Sequence, residues 1–264
     1  MSTLTLRGLN VYPIKSAGGF AVESWPVDEF GLRYDRRWMV VDQQGQAVTQ
    51  REYPRLALAR SSIEGGRLRV AAAGRPPLDL PLQPAGAVTT TAVVWGDACV
   101  SSWMGERAAR WFSDLLGFSC SLVYMPDETR RPADPEYAPA GVRVSYADAF
   151  PFLLISEESL ADLNARLPDP VAMNRFRPNL VIAGGPAYVE DGLARFRIGG
   201  LELAAVKPCA RCVLTTTDQA TGLRGPEPLR TLATYRKANG QVLFGQNVVH
   251  RSPGRLTVGE TLRV

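Results

Sequence analysis

The fold is indicated first by residues 38–49, which read Trp38-Met39-Val40-Val41-Asp42-Gln43-Gln44-Gly45-Gln46-Ala47-Val48-Thr49. Two apolar runs flank a short polar segment that contains a glycine, so this stretch predicts a β-hairpin. Upstream, apolar and polar residues alternate over 4–14, with a slip at Gly8 that indicates a bulge. Downstream, similar patterns predict strands at 56–63, 67–72 and 88–95. Closely spaced strands with little helix are typical of a barrel or a sandwich.

Helical patterns begin after the first hundred residues. Residues 102–116 carry an apolar stripe that stops at Gly117, and Ser156 is a good N-cap for a second helix. A third helix is predicted over 226–237, and the Pro- and Asp-rich segment 126–141 is predicted to be a loop. The other patterns predict strands at 179–183, 195–198, 201–206, 212–217 and 261–264, and a strand pair at 242–244 and 247–249. A β-rich N-terminal part therefore precedes a mixed α+β C-terminal part.

The composition is that of an ordinary globular protein. Hydrophobic residues make up 45% of the 264 residues and charged residues 21%, so a packed core is expected. The sequence has no apolar run that approaches about 18 residues, and its start lacks the pattern of a signal peptide. We therefore expect a cytoplasmic protein. Its four scattered cysteines do not form a disulfide framework, which predicts free thiols.

The charge is mildly basic. A net charge of +4 and a pI near 9.0 suit an anionic ligand. No run of basic residues interleaved with aromatics accompanies this charge, so the sequence does not predict nucleic-acid binding.

Two of the four cysteines, Cys209 and Cys212, lie close together beside Lys207 and Arg211. Neighbouring cations lower the pKa of a thiol and favour the reactive thiolate. A thioredoxin-like site needs a helix after the first cysteine, whereas the residues after Cys212 favour a strand. A zinc site needs about four ligands, and the other two cysteines are distant in sequence. A functional thiolate and a buried, inert thiol pair both stay open at this point.

His250 is the only histidine, which removes most catalytic schemes built on imidazole. We expect it to be a surface or capping residue. The glycine pairs of the chain do not match a dinucleotide or P-loop fingerprint.

Three basic segments enter or leave predicted strands. They contain Lys15 with Ser16, Arg36, and Arg177. A cation with a hydroxyl or a guanidinium at a strand end can bind a phosphate. Each segment alone is also compatible with a plain turn or a solvated arginine. Together with Cys212 they fit one large, phosphate-bearing anion that is bound beside a thiol.

Six segments occur in a characteristic order along almost the whole chain: Tyr12–Ser16, Asp35–Trp38, Phe150–Ser156, Arg175–Asn179 with Tyr188–Asp191, Pro208–Cys212 running to Gly222, and Leu243–Asn247. On these segments the chain resembles the MOSC superfamily. Within it, the chain is most similar to two-domain members, the bacterial YcbX-type proteins and the mitochondrial amidoxime-reducing component.

The resemblance implies a fold that is mainly β with α+β elements. A β-barrel-like N-terminal domain (1–117) would pack on a β-barrel MOSC domain with peripheral helices (118–264). The molybdenum cofactor (Mo-molybdopterin) would lie in a cleft between them, with Cys212 as the catalytic thiolate on the metal. Cys209 matches a family cysteine that does not bind the metal. The cofactor-binding residues implied are Lys15, Ser16, Arg36, Arg177, Asn179, Arg211 and Tyr235.

The family chemistry implied is two-electron reduction of N-hydroxylated compounds, namely hydroxylamines, amidoximes and N-hydroxylated base analogues. Asp218 is a candidate catalytic acid or a structural partner. The sequence has no four-cysteine iron–sulfur set after the MOSC pattern, so a separate ferredoxin- or flavin-type protein is expected to supply electrons. The superfamily is also associated with pyridoxal phosphate binding, but no domain of a pyridoxal phosphate enzyme is recognised here. The alternative is a carrier of the cofactor, or of a persulfide on Cys212, without turnover.

Overall fold

The computed structural model describes residues 3–84, 86 and 88–264. Its strands are β1 Thr5–Val11, β2 Phe20–Val22, β3 Ser24–Asp28, β4 Gly31–Leu32, β5 Trp38–Val41, β6 Arg60–Glu64, β7 Arg67–Ala71, β8 Leu78–Pro81, β9 Thr89–Val94, β10 Asp97–Trp103, β11 Ser121–Tyr124, β12 Phe152–Ser156, β13 Leu180–Ala183, β14 Arg195–Ile198, β15 Leu201–Ala210, β16 Lys237–Ala238, β17 Gln241–His250, β18 Gly254–Thr257 and β19 Leu262–Arg263. Its α-helices are α1 Glu106–Leu116, α2 Glu157–Asn164 and α3 Leu229–Tyr235. Short 3-10 helices occupy Pro54–Leu58, Met173–Arg175, Val189–Gly192 and Val213–Thr216. The predicted mainly β fold is confirmed.

The largest sheet joins the two ends of the chain. Its order is β19-β14-β15-β17-β12-β13-β1-β2, with β16 on β17, and all pairs are antiparallel except β12 with β13. Helix α2 connects the two parallel strands. Strands β3 and β4 form a further sheet with β18. The strands within residues 5–32 thus pair with strands of the C-terminal part or with one another, so the sheets cross the predicted domain boundary at 117/118. That boundary stays a prediction.

The middle of the N-terminal part has its own sheets and core. Strands β5-β11-β10-β9 form one sheet and β6-β7-β8 another. Trp38, Phe112 and Tyr124 are fully or nearly buried in the apolar cluster between these sheets and α1. A separate cluster under the large sheet contains Leu6 and Phe152. Burial of apolar surface in these two clusters is the main force that holds the two parts in shape.

Several local predictions are confirmed and others are corrected. The bulge at Gly8 appears as a register shift in β1, and the Ser156 Oγ accepts a hydrogen bond from the Ser159 N–H as the N-cap of α2. The predicted turn at 38–49 is present, because the Asp42 N–H donates to the Gln46 carbonyl at 3.0 Å and the Val48 N–H to the Val40 carbonyl at 2.8 Å, but the second arm forms only one bridge, Val41 with Ala47, and is not a full strand. The helix at 102–116 begins only at Glu106, since the preceding residues complete β10.

The strand predicted at 212–217 is wrong. Val213–Thr216 forms a 3-10 helix, although its β-branched residues favour strands. The Thr215 hydroxyl donates to the Cys212 carbonyl at 3.0 Å and the Thr216 hydroxyl to the Val213 carbonyl at 2.8 Å. Such back-bonds to the carbonyl three residues earlier stabilise a turn and override the strand propensity.

The strand pair predicted at 242–249 is also wrong, because β17 runs without a break through Gly245. His250, expected to lie at the surface, is only 7% exposed at the end of this strand. Its Nε2 lies 2.7 Å from the Asp28 carbonyl oxygen, and its ring packs edge-on against Phe152. Each helix in the described ranges is shorter or less apolar than a helix that spans a membrane.

Candidate active site

A cleft of about 160 Å³ lies where the turn after β1, the segments before β5 and β13, and the end of β15 meet. We call it the Cys212 cleft. Its lining includes seven of the nine residues that the sequence singled out: Lys15, Ser16, Arg36, Arg177, Asn179, Arg211 and Cys212. These residues come from four distant parts of the sequence, and the fold brings them together.

Main-chain hydrogen bonds fix two of these segments side by side. The Lys15 N–H donates to the Trp38 carbonyl and the Arg36 N–H to the Tyr12 carbonyl, both at 2.8 Å. The residues that follow β1 are therefore held against those that precede β5. Lys15 and Arg36 consequently line the same cleft although 21 positions separate them along the chain.

Three residues of the cleft adopt the left-handed backbone conformation. The φ angles are 63° at Ser16, 50° at Arg36 and 58° at Arg177. This conformation costs a residue with a Cβ about 1–2 kcal/mol. Backbone strain of this kind concentrates at binding and catalytic sites, where the surrounding structure holds it in place.

Arg36 is held by a polar network at the base of the cleft. Its Nη1 donates to the Asp35 carboxylate and, at 3.0 Å, to the Asn179 Oδ1, and its Nη2 donates to the Arg177 carbonyl at 3.1 Å. Asn179 uses its amide nitrogen to donate to the Asn10 carbonyl at 3.1 Å. Burial raises the pKa of Asp35, and the charge of Arg36 opposes that shift. Asn179 therefore orients the guanidinium of Arg36.

Arg177 is buried with incomplete hydrogen bonding. Its Nη1 donates to the Ala17 carbonyl at 2.5 Å, whereas its Nη2 has no hydrogen-bond partner among the described residues. The Tyr12 ring lies between two guanidinium groups, 4.3 Å from Arg177 and 4.5 Å from Arg36. Burial, followed by the charge of Arg36, lowers the pKa of Arg177 to about 10. A buried N–H without a partner, next to a second cation, favours binding of an anion.

A second network reaches the thiol of Cys212. Lys15 Nζ donates to the Tyr146 carbonyl at 2.8 Å and to the Asp148 carboxylate at 2.6 Å. Arg51 donates to the other oxygen of Asp148 at 3.0 Å and, through Nε, to the Cys212 Sγ at 3.3 Å. Burial lowers the pKa of Lys15, and Asp148 opposes that shift. Arg51 thus links the Asp148 carboxylate to the Cys212 thiol.

Cys209 has a different arginine as its neighbour. Arg211 Nη1 lies 2.9 Å from the Cys209 Sγ, and Arg211 Nη2 donates to the Phe176 carbonyl at 2.9 Å. The two thiols are free and half-buried. The Nε of Arg211 is, after the Nη2 of Arg177, the second buried N–H in the lining of the cleft that has no partner among the described residues.

The lining of the Cys212 cleft is strongly cationic. It holds five cationic side chains, Lys15, Arg36, Arg51, Arg177 and Arg211, and one carboxylate, Asp148. This imbalance, together with the partner-free N–H groups of Arg177 and Arg211, suits an anionic ligand that carries several acceptor oxygens.

Two comparisons with known proteins agree with this geometry. Residues 3–119 match the MOSC N-terminal beta barrel domain, and residues 141–263 match the MOSC domain. Mitochondrial amidoxime-reducing component 1 of Mus musculus is 39% identical over 275 residues, which cover 97% of this chain and 81% of that protein. The chain belongs to the MOSC superfamily. It is of the two-domain type.

Other relatives of this MOSC protein carry two kinds of name. Mitochondrial amidoxime-reducing component 1 of Homo sapiens is 37% identical, with 97% of this chain and 81% of that protein covered. Molybdenum cofactor sulfurase of Oryza sativa subsp. japonica is 35% identical over 93% of this chain, but only 32% of that protein is covered. Because the first two relatives are named mitochondrial, the expected cytoplasmic location of this MOSC protein stays a prediction.

The structure places two of the sequence-derived site residues outside the cleft of this MOSC protein. Asp218 accepts hydrogen bonds from Arg175 at 3.2 Å and from the Thr221 N–H at 2.9 Å, which fix a surface turn. Tyr235 lies under Arg166, and its hydroxyl is 2.9 Å from that of Tyr188. Neither residue lines the cleft.

Sequence reasoning missed Arg51 and Asp148, which connect Lys15 to Cys212. Arg51 lies two residues after the predicted hairpin, so it has the same signal as Lys15 and Arg36, a cation near a strand end. Asp148 lies in an irregular segment between β11 and β12 and has no local signal.

Proposed function

We propose that this chain is a molybdenum-cofactor-binding oxidoreductase that reduces N-hydroxylated compounds with electrons from a separate partner protein. The observation that carries the proposal is the position of the Cys212 thiol in a cleft lined by five cationic side chains. The substrate class is supported by the relatives named amidoxime-reducing component, which align with almost the whole chain. Hydroxylamines, amidoximes and N-hydroxylated base analogues belong to this class.

The residues of the cleft fit the cofactor. Its phosphate can accept hydrogen bonds from the partner-free N–H groups of Arg177 and Arg211, which the described protein residues leave unused. Lys15 and Ser16 would hold the same anionic end or the pterin beside it. Asn179 would act through Arg36, which it orients.

Cys212 would be the protein ligand of the metal. In the described residues there is no cluster of three or more His, Cys, Asp or Glu side chains that could hold a metal ion. A metal at Cys212 would therefore need most of its ligands from another source, and the dithiolene sulfurs of the pterin would supply them. When bound, this cofactor supplies a two-electron redox couple beside the substrate.

The chain's own residues prepare the thiol and the entrance. Arg51 donates to the Cys212 Sγ, and Asp148 holds Arg51 and Lys15 in place. The Asp148 side chain is 57% exposed and marks the side of the cleft that faces solvent. A substrate would therefore approach Cys212 past Asp148 and Arg51.

The test compares two cysteine variants of protein that is expressed with the cofactor. Cys212→Ala should lose the molybdenum, which is expected at about one atom per chain in the parent, because a metal site fails without its protein ligand. Cys209→Ala, a matched control in the same cleft, should keep it. Reduction of benzamidoxime with an artificial electron donor should follow the metal content. Full molybdenum content in Cys212→Ala would refute the ligand assignment.

A second function is favoured by the relatives named molybdenum cofactor sulfurase. In that case the chain binds or hands over the cofactor, or a persulfide on Cys212, without turnover. A fully loaded sample that reduces neither benzamidoxime nor 6-hydroxylaminopurine would support this carrier function over the reductase.

A further inference from the structure

Trp95 stands at the tip of the β9–β10 hairpin in an unusual setting. It is 57% exposed, and the turn consists of Trp95 and Gly96, with φ angles of 56° and 87°. Val94 and Asp97 are the paired residues on either side. Two-residue turns with two positive φ angles strongly prefer Asn, Asp or Gly at the first position. A bulky aromatic residue there is strained and poorly shielded from water, so turn formation does not account for it.

The indole ring lies at the entrance of the Cys212 cleft. Its Nε1 donates to the Asp148 Oδ1 at 3.1 Å, and the Arg51 guanidinium carbon lies 4.5 Å from its ring centroid. Lys15 Nζ lies 5.8 Å from the same centroid. All three partners line the cleft, and Arg51 also contacts Cys212. Arg51 thus covers the face of the indole on the side of the thiol, and the hairpin leaves the other face open to solvent at the cleft entrance.

We propose that Trp95 is a substrate-binding platform, whose solvent-exposed face stacks against the planar ring of aromatic N-hydroxylated compounds at the entrance of the Cys212 cleft. The inference rests on the proposed reductase function and adds a preference within its substrate class. Aryl amidoximes and N-hydroxylated purines present a flat π face, whereas aliphatic hydroxylamines do not. Stacking on a tryptophan adds to the binding of planar rings only. Arg51 and Asp148 fix the indole, so little side-chain freedom is lost on binding.

The experiment measures equilibrium binding to cofactor-loaded protein by calorimetry, without an electron donor. The probes are benzamidoxime, 6-hydroxylaminopurine and N-cyclohexylhydroxylamine. Trp95→Asn removes the ring but suits the turn, because Asn tolerates a positive φ. Trp95→Phe keeps a flat ring and loses only the bond to Asp148. Val100→Thr, at an exposed position of β10, is the matched control.

We expect Trp95→Asn to weaken binding of the two aromatic probes about tenfold and that of the cyclohexyl probe less than about twofold. Trp95→Phe should stay within about threefold of the parent for all probes, and Val100→Thr should match the parent. Equal weakening of all three probes in Trp95→Asn, or no change, would overturn the platform. If Trp95→Asn does not fold, the contrast between Trp95→Phe and Trp95→Leu gives the same decision.

The outcome is separate from that of the proposed function. Binding is measured without turnover, so a protein that binds benzamidoxime through Trp95 but never reduces it contradicts the reductase and leaves the platform standing. Conversely, a reductase whose Trp95→Asn variant treats aromatic and aliphatic probes alike contradicts only the platform. Molybdenum content, measured on each variant, shows that differences in binding do not come from loss of the cofactor.

Discussion

Substitution of Arg177 by Met should leave the cofactor-free protein almost as stable as the parent, although it removes a buried charge. Arg177 is 6% exposed, makes one hydrogen bond to the Ala17 carbonyl, and has an Nη2 without a partner in the described residues. Met keeps most of the apolar stem, and its backbone takes the positive φ at the same cost. The comparison variant is Arg131→Met, because Arg131 is equally buried but well paired.

The expected magnitudes follow from the two environments. Lowering the pKa of Arg177 from its ordinary value to about 10 corresponds to a penalty of about 3 kcal/mol on its charged form. Loss of the hydrogen bond to Ala17 costs about 1.5–3 kcal/mol, so the two effects nearly cancel. Arg131 donates to Asp97 at 2.8 Å and to the carbonyls of Ser145 and Ala147 at 2.8 and 2.6 Å. Its loss should cost about 3–5 kcal/mol.

Equilibrium unfolding in urea, with both variants and the parent free of cofactor, measures these differences. We expect the midpoint of Arg177→Met to lie near that of the parent and the midpoint of Arg131→Met well below it, at unchanged slope. When cofactor is supplied, Arg177→Met should retain much less molybdenum and pterin than the parent. If Arg177→Met loses as much stability as Arg131→Met, Arg177 is a structural residue and the reasoning fails.

Two further predictions concern the fold around the cleft. Burial lowers the pKa of His250, so the unfolded chain binds the proton more readily and stability falls as the pH drops below about 6.5, by at most about 1.4 kcal/mol per pH unit. His250→Gln keeps an N–H for the Asp28 carbonyl but no longer titrates, so its stability should fall less between about pH 7.5 and about pH 5.5. Urea unfolding at the two pH values measures this, and an identical loss of stability in the variant and the parent would contradict the prediction. Gly245→Ala should lower the free energy of unfolding by about 2–4 kcal/mol, because φ is 83° and the new Cβ would lie 2.8 Å from the Leu154 carbonyl oxygen. Gly240→Ala, at a similar φ but in open space, should cost only about 1–2 kcal/mol. Unfolding of both variants in urea measures the difference, and equal losses would argue against the close contact.

Much of the site could be predicted because cations and a thiol at strand ends have a local signal. Lys15, Arg36 and Arg177 each lie beside a strand, and strand ends from one sheet region can meet at one edge. Arg51 and Asp148 could not be selected in this way. Their importance comes from contacts between residues far apart in sequence, as in the Arg51 contact with Cys212.

The errors in the fold have equally specific causes. Val213–Thr216 has the composition of a strand, but the threonine hydroxyls bond to the main chain of the preceding turn and form a 3-10 helix. Gly245 resembles the centre of a hairpin turn, yet the chain continues straight through it because β12 lies against it. In both cases the competing interaction is decided by neighbours that a local pattern does not reveal.

The place of β1 in the large sheet has a consequence for biosynthesis. Leu6 and Leu9 pair with Ile182 and Leu180, so one edge of β1 waits for a partner that is translated much later, whereas its other edge pairs with the nearby strand β2. At ordinary rates of translation this wait lasts on the order of ten seconds. During that time the apolar side of β1 is exposed and open to wrong pairing. The large sheet therefore closes on this edge of β1 only after β13 has been translated.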